Sequence, residues 1–189
     1  KWEYYPVALA PDMKYDMDGC FSGSAIETDE GHMLVYTGVT HEENDGKKNE
    51  YQNQCVALGD GKSYKKIENN PVINGEIMPQ NFSREHFRDP KVWKEDDGYY
   101  LVAGNKTNDG KPQVVLFHSK DMYDWRYVSV LAEDVTGKYG TMWECPDFFE
   151  INGQYILIAS PQDMCADDEF HNGNNSVYFI GNYDRDMHK

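Results

Sequence analysis

The sequence predicts an all-β protein, an incomplete β-propeller of nearly three blades. Short runs rich in β-branched and aromatic residues recur, each just after a turn-forming glycine. No long window places apolar residues at i, i+3, i+4 and i+7, so helix is not expected. The layout of strands also repeats every roughly 50 to 70 residues, in the manner of propeller blades.

The elements follow in order. Met33–Thr37, Tyr99–Ala103 and Tyr155–Ala159 read as strands, each behind Gly31, Gly98 or Gly153 with polar turn formers ahead of it. A strand precedes each turn: Phe21-Ser22-Gly23-Ser24-Ala25-Ile26, then Phe87-Arg88-Asp89-Pro90-Lys91-Val92-Trp93, then Trp143-Glu144-Cys145-Pro146-Asp147-Phe148-Phe149. Third strands are read at Gln54–Leu58, Gln113–Phe117 and Ser176–Ile180. Fourth strands are read at Tyr64–Ile67 and Trp125–Val130, and the third unit ends before its fourth. The blades run over 18–67, 86–131 and 142–189. A ring needs about four to eight blades, so this chain cannot close one alone. A two-sheet sandwich is the alternative, but it does not require three units with one internal layout.

Charge and cysteines bound the function. With 18 Lys+Arg against 33 Asp+Glu, the net charge of −15 argues against nucleic acid or an anionic membrane as partner. No apolar run approaches the length of a spanning helix, and no basic-then-apolar leader is present. Cys20, Cys55, Cys145 and Cys165 form no C-x-x-C pair; they are expected to be reduced and mostly buried, which fits a cytoplasmic location. No metal site or cofactor is expected. The histidines lack ligand spacing, and Asp16-x-Asp18-Gly19 supplies too few ligands for calcium. Lys1 stands where a start codon gives Met, which suggests processing or a piece of something longer.

The innermost strand of a propeller blade lines the central channel. Aligned on their leading aromatics, the three units put Ser22, Arg88 and Glu144 at one height, with Asp89 beside Arg88. Taken singly, these have plain readings: Asp89-Pro90 as a turn starter, Arg88–Asp89 as a surface pair, Glu144 as a solvated strand residue. Taken together, aromatic faces beside hydrogen-bonding charges suit a sugar, and two carboxylates suit glycoside cleavage.

Three ordered motifs carry a resemblance. Phe87-Arg88-Asp89-Pro90-Lys91-Val92 resembles the Arg-Asp-Pro motif of glycoside hydrolase family 32, the invertases, sucrose-6-phosphate hydrolases and fructanases. Trp143-Glu144-Cys145-Pro146-Asp147-Phe148 resembles its Glu-Cys motif, and Gly19-Cys20-Phe21-Ser22-Gly23-Ser24-Ala25 its Phe-Ser-Gly segment. The resemblance implies a five-bladed propeller followed by a β-sandwich. It implies that Glu144 is the general acid/base and that Asp89 stabilises the transition state. It implies that Arg88 positions Asp89 and the sugar, that Phe21 and Ser22 line the fructose site, and that Trp143 and Cys145 flank the acid. The substrate would be a small carbohydrate: sucrose, sucrose 6-phosphate or a fructan.

One departure matters. The family's nucleophile lies in an Asn-Asp-Pro-type motif ahead of the Phe-Ser-Gly segment, and no such motif occurs here. Residues 1–189 are therefore expected to be a fragment of the propeller domain, without its first and last blades and the sandwich. The chain alone is expected to be inactive, and to associate with itself or with the missing segments. The competing readings are a non-catalytic carbohydrate-binding or assembly module, and another five-bladed glycosidase of arabinanase type.

Overall fold

The computed structural model describes residues 1–188, apart from the side chain of Asn44. All its regular elements are strands, arranged in three antiparallel sheets. The first holds β1 (Gly19–Thr28), β2 (Gly31–Asn44), β3 (Lys47–Gly59) and β4 (Tyr64–Lys66) in that order. The second holds β5 (Phe82–Glu95), β6 (Gly98–Thr107), β7 (Pro112–Ser119) and β8 (Trp125–Glu133). The third holds β9 (Met142–Ile151), β10 (Gln154–Gln162) and β11 (Val177–Gly181). Each sheet is an up-and-down meander, and β5 packs against both β1 and β9. These are propeller blades fanned about an axis lined by β1, β5 and β9, and they do not close a ring.

The turns have the chemistry their backbone needs. The β9–β10 hairpin turns on Asn152 and Gly153, at φ of 53° and 80°, the left-handed pair that matches strand twist. The β2–β3 hairpin turns on Asp45-Gly46 in the same way, at 51° and 73°. That hairpin is much longer than Met33–Thr37 and Gln54–Leu58 suggested. Its outer half, from His41 to Glu50, is polar and so lacks the apolar alternation that marks a strand.

Two cores hold the blades together. Between the first and second blades lie Met33, Val35, Val56, Phe87, Leu101, Ala103, Val115 and Phe117. Between the second and third lie Tyr100, Val102, Val114, Leu116, Trp143, Leu157 and Ala159. Alternate residues of β6 and β7 therefore face opposite neighbours. This is why the middle blade reads as continuous apolar runs, and why every residue of β7 is buried.

Each innermost strand carries a bulge at the same place. Phe21 pairs with Thr37, Arg88 with Gly104 and Glu144 with Ser160, each partner six residues past the start of its strand. Just beyond, the register shifts by one residue in all three. So Phe21, not Ser22, is the equivalent of Arg88 and Glu144, and Ser22 is the equivalent of Asp89 and Cys145. The sequence alignment on leading aromatics is one residue out in the first unit.

Candidate active site

The three bulges bring Ser22, Asp89 and Cys145 to one cavity. Asp89 sits at φ 63° and Cys145 at φ 47°, left-handed conformations uncommon outside glycine. Both are held by bonds between blades. The Asp89 amide donates to Thr37 Oγ1 at 3.0 Å, and Asp89 Oδ2 accepts the Cys145 amide at 2.9 Å. The Cys145 Sγ lies 3.6 Å from the same oxygen. One carboxylate thus ties the second blade to the third while its own backbone is tied to the first.

Around these residues lies a cavity of about 600 Å³, lined by Cys20, Phe21, Ser22, Glu50, Gln52, His86, Arg88, Asp89, Glu144 and Cys145. Arg88 Nε donates to Glu144 Oε1 at 2.9 Å, and Arg88 Nη1 donates to Gln52 Oε1 at 3.3 Å. The same Gln52 oxygen accepts the Phe87 amide at 2.9 Å, and Gln52 Nε2 donates to Glu50 Oε1 at 2.6 Å. Arg88 therefore orients Glu144, whereas Asp89 is oriented by the backbone of Cys145. The bulge gives the two side chains different hydrogen-bond partners, and among the described residues none joins Arg88 to Asp89 directly.

Burial pushes the Asp89 carboxyl above its ordinary range, and the charge of Glu144 adds to the rise. The Cys145 amide and the Arg88 charge pull the other way. The thiols of Cys20 and Cys145 are each pushed up to about 11, mainly because protein displaces part of the water around the sulfur even where the residue as a whole stays accessible, and then by Asp16 and Asp89 respectively, so both stay protonated. All four cysteines are free, but only Cys55 is buried. Cys145 and Cys165 are exposed, contrary to expectation.

The match to known proteins can now be set beside this geometry. The profile of the glycosyl hydrolases family 32 N-terminal domain matches residues 1–189.

The chain belongs to glycosyl hydrolase family 32.

It is 41% identical to a sucrose-6-phosphate hydrolase of Zymomonas mobilis over 174 residues, 87% of this chain and 33% of that protein. It is 38% identical to one of Bacillus subtilis over 190 residues, 97% of this chain and 37% of that protein. Among solved structures, a Bombyx mori family 32 β-fructofuranosidase aligns with all of this chain and 38% of its own length, at a TM-score of 0.86 and 38% identity. A sucrose-6-phosphate hydrolase from Lactobacillus gasseri aligns at a TM-score of 0.77 and 29% identity, over 95% of this chain and 36% of that one. The chain thus spans between a third and two-fifths of the length of these relatives.

Within this family 32 chain, six of the seven residues named from sequence line one cavity: Phe21, Ser22, Arg88, Asp89, Glu144 and Cys145. Trp143 does not. It is 2% exposed, stacks on Phe179 at 5.3 Å and donates Nε1 to the Tyr139 carbonyl at 2.8 Å. It precedes the bulge in register with Phe87, so it points into blade packing, whereas Phe21 is 45% exposed in the cavity. Glu50, Gln52 and His86 were not read from the sequence. The Asp45-Gly46 turn and the Gln-x-Gln pair at 52 and 54, polar residues inside a strand, were the signals available. Asp16, upstream of the cavity, is fully buried and accepts from Tyr36, Lys66 and the Met13 amide, so it anchors the approach to β1.

Proposed function

We propose that this chain is the catalytic-acid side of a retaining β-fructofuranosidase that cleaves the fructosyl bond of sucrose or sucrose 6-phosphate. The observation that carries the reading is the cross-blade placement of Glu144 and Asp89 in one cavity, beside the exposed ring of Phe21. Glu144 Oε1 is fixed by Arg88, and Oε2 has no hydrogen-bond partner among the described residues. A proton on that side can pass to the glycosidic oxygen as the bond to the anomeric carbon breaks. Positive charge then develops on the fructosyl ring, and Asp89, desolvated and bound to the Cys145 amide, accepts its hydroxyls and opposes that charge. Phe21 supplies an apolar face for the ring; Ser22 and Arg88 supply polar edges.

The covalent step needs a carboxylate nucleophile, and the family's Asn-Asp-Pro-type motif does not occur in these 189 residues. The reading therefore assigns activity to the complete polypeptide its gene encodes. Names borne by the relatives support sucrose and sucrose 6-phosphate as substrates. The reading assigns the protein to a reducing compartment, the cytoplasm, where the thiols beside the carboxylates stay free. No helix among the described residues is long and apolar enough to cross a membrane.

Proton NMR of sucrose hydrolysis by the complete polypeptide tests the class of reaction. The fructofuranose released first is expected to have the β configuration. Release of the α anomer first would reject a retaining mechanism.

A further inference from the structure

Buried side chains of the first blade grip the edge of β5 at its bulge. β5 is the edge strand of its sheet, so alternate backbone groups on it have no strand to bond. Three of them are bonded by side chains instead. The Phe87 amide donates to Gln52 Oε1 at 2.9 Å, the Phe87 carbonyl accepts from Gln54 Nε2 at 2.9 Å, and the Asp89 amide donates to Thr37 Oγ1 at 3.0 Å. Gln52, Gln54 and Thr37 are 3%, 0% and 0% exposed. Polar groups buried this deeply are costly unless hydrogen-bonded, and here the bonds converge on the two residues that lead to the carboxylates.

The two glutamines grip one residue, Phe87, but serve different neighbours of it. Gln52 Oε1 also accepts from Arg88 Nη1 at 3.3 Å, and Arg88 Nε donates to Glu144 Oε1 at 2.9 Å. The Gln52 amide has one workable orientation: both partners of Oε1 are N–H donors, while Nε2 donates to Glu50 Oε1 at 2.6 Å. Gln54 takes the other direction, and no hydrogen bond among the described residues joins it to Arg88. Its Oε1 accepts from Thr37 Oγ1 at 2.9 Å, which turns the lone pairs of that hydroxyl to the Asp89 amide. Gln54 and Thr37 are direct partners in the β2–β3 register. The left-handed backbone of Asp89, at φ 63°, is thus seated by a hydroxyl that is itself fixed.

We infer that Gln52 and Gln54 are positioning residues that serve different carboxylates: Gln52 aims Glu144 through Arg88, and Gln54 seats Asp89 through Thr37. The inference rests on the β-fructofuranosidase reading for what the two carboxylates do, but not for the contacts that hold them. A residue that aims the acid matters only where the leaving group needs a proton. One that seats Asp89 matters whenever positive charge develops on the fructosyl ring. Sucrose needs the proton. A nitrophenyl β-fructofuranoside does not, since nitrophenolate leaves as a stable anion.

The test compares Q52M with Q54M in the complete polypeptide, with circular dichroism to verify folding. Each variant removes one buried amide and one bond to Phe87 at nearly constant volume, so the two load the fold alike. Q52M is expected to lower kcat for sucrose, relative to kcat for the nitrophenyl fructoside, at least about ten-fold. Q54M is expected to slow both substrates at least about ten-fold and to keep their ratio within about three-fold of wild type. An unchanged ratio in Q52M, or the same change of ratio in both variants, would overturn the inference. Q52N, which draws the amide back by one methylene, serves if Q52M does not fold: its ratio is expected to fall too, and an unchanged one would overturn the inference equally. Crystal structures of the variants decide independently of turnover. Arg88 is expected to leave Glu144 in Q52M and to keep it in Q54M; Arg88 still bonded to Glu144 in Q52M would overturn the inference. Wild type that cleaves neither substrate, while Q52M releases Arg88, would count against the fructosidase reading and leave the positioning of Glu144 standing.

Discussion

At the scale of single residues, Asp89 combines an unusual backbone with a desolvated carboxyl. A residue at φ 63° tolerates Asn better than Ala, so Asp89→Asn should fold. Its effect on stability should depend on pH with a definite sign. The folded-state pKa of Asp89 is raised above the ordinary 3.8. The stability it contributes is therefore fully present below that value and lost as pH rises through the folded pKa. The melting temperature of Asp89→Asn relative to wild type should be more favourable at neutral pH than at about pH 3. Calorimetry at the two pH values checks this, and the opposite slope would contradict the assignment. Catalysis should fall roughly 10²-fold or more in the same variant, since the charge that opposes the oxocarbenium-like state is gone. The two carboxylates were legible in the sequence because they lie in short local motifs. Trp143 was not, because a bulge decides which face its side chain takes, and a bulge has no fixed residue signature.

Strands and their crossings explain why the two carboxylates meet. Gly104 on β6 lies opposite Arg88, and an added Cβ there would collide with the Trp143 carbonyl of β9. The glycine lets the third blade approach the second closely enough for Arg88 to reach Glu144. Gly104→Ala should lower stability by about 1–3 kcal/mol through overpacking. It should also lower kcat by up to roughly 10²-fold, because Glu144 shifts relative to Asp89. Thermal melting and steady-state kinetics on the complete polypeptide would measure both; unchanged values would mean that the blades meet elsewhere. The strand order was legible because turn glycines and β-branched runs alternate along the chain. The reach of the β2–β3 hairpin was not, since residues 41–50 are polar and solvated. Yet this hairpin delivers Glu50 and Gln52 to the cavity, and Gln52 in turn holds Arg88. That function was invisible because it depends on a contact between blades rather than on neighbours in sequence.

The whole molecule is an open fan. β11 is the outermost strand of its sheet, and Tyr178 and Ile180, two apart on it, are 68% and 56% exposed. An unpaired edge with apolar residues on one face invites pairing. Purified 189-residue chain should therefore self-associate in a concentration-dependent way, and Tyr178→Lys with Ile180→Lys should reduce this. Light scattering behind gel filtration reads the mass; a strictly monomeric wild-type chain would contradict the expectation. The same chain should not hydrolyse sucrose measurably, because the family's nucleophile motif does not occur in it. That the three sheets leave the ring open was legible from repeat counting alone, whereas the seat of each candidate side chain needed the bulge register.

The central claim is that Glu144, held by Arg88 across two blades, is the acid that releases the leaving sugar. Sucrose turnover by the complete polypeptide carrying Glu144→Gln tests it most directly. The substitution keeps the size of the side chain and an oxygen for Arg88 but removes the proton. The expected result is a fall in kcat of about 10²- to 10⁴-fold with little change in KM. A variant that keeps kcat within a few-fold of wild type would contradict the account.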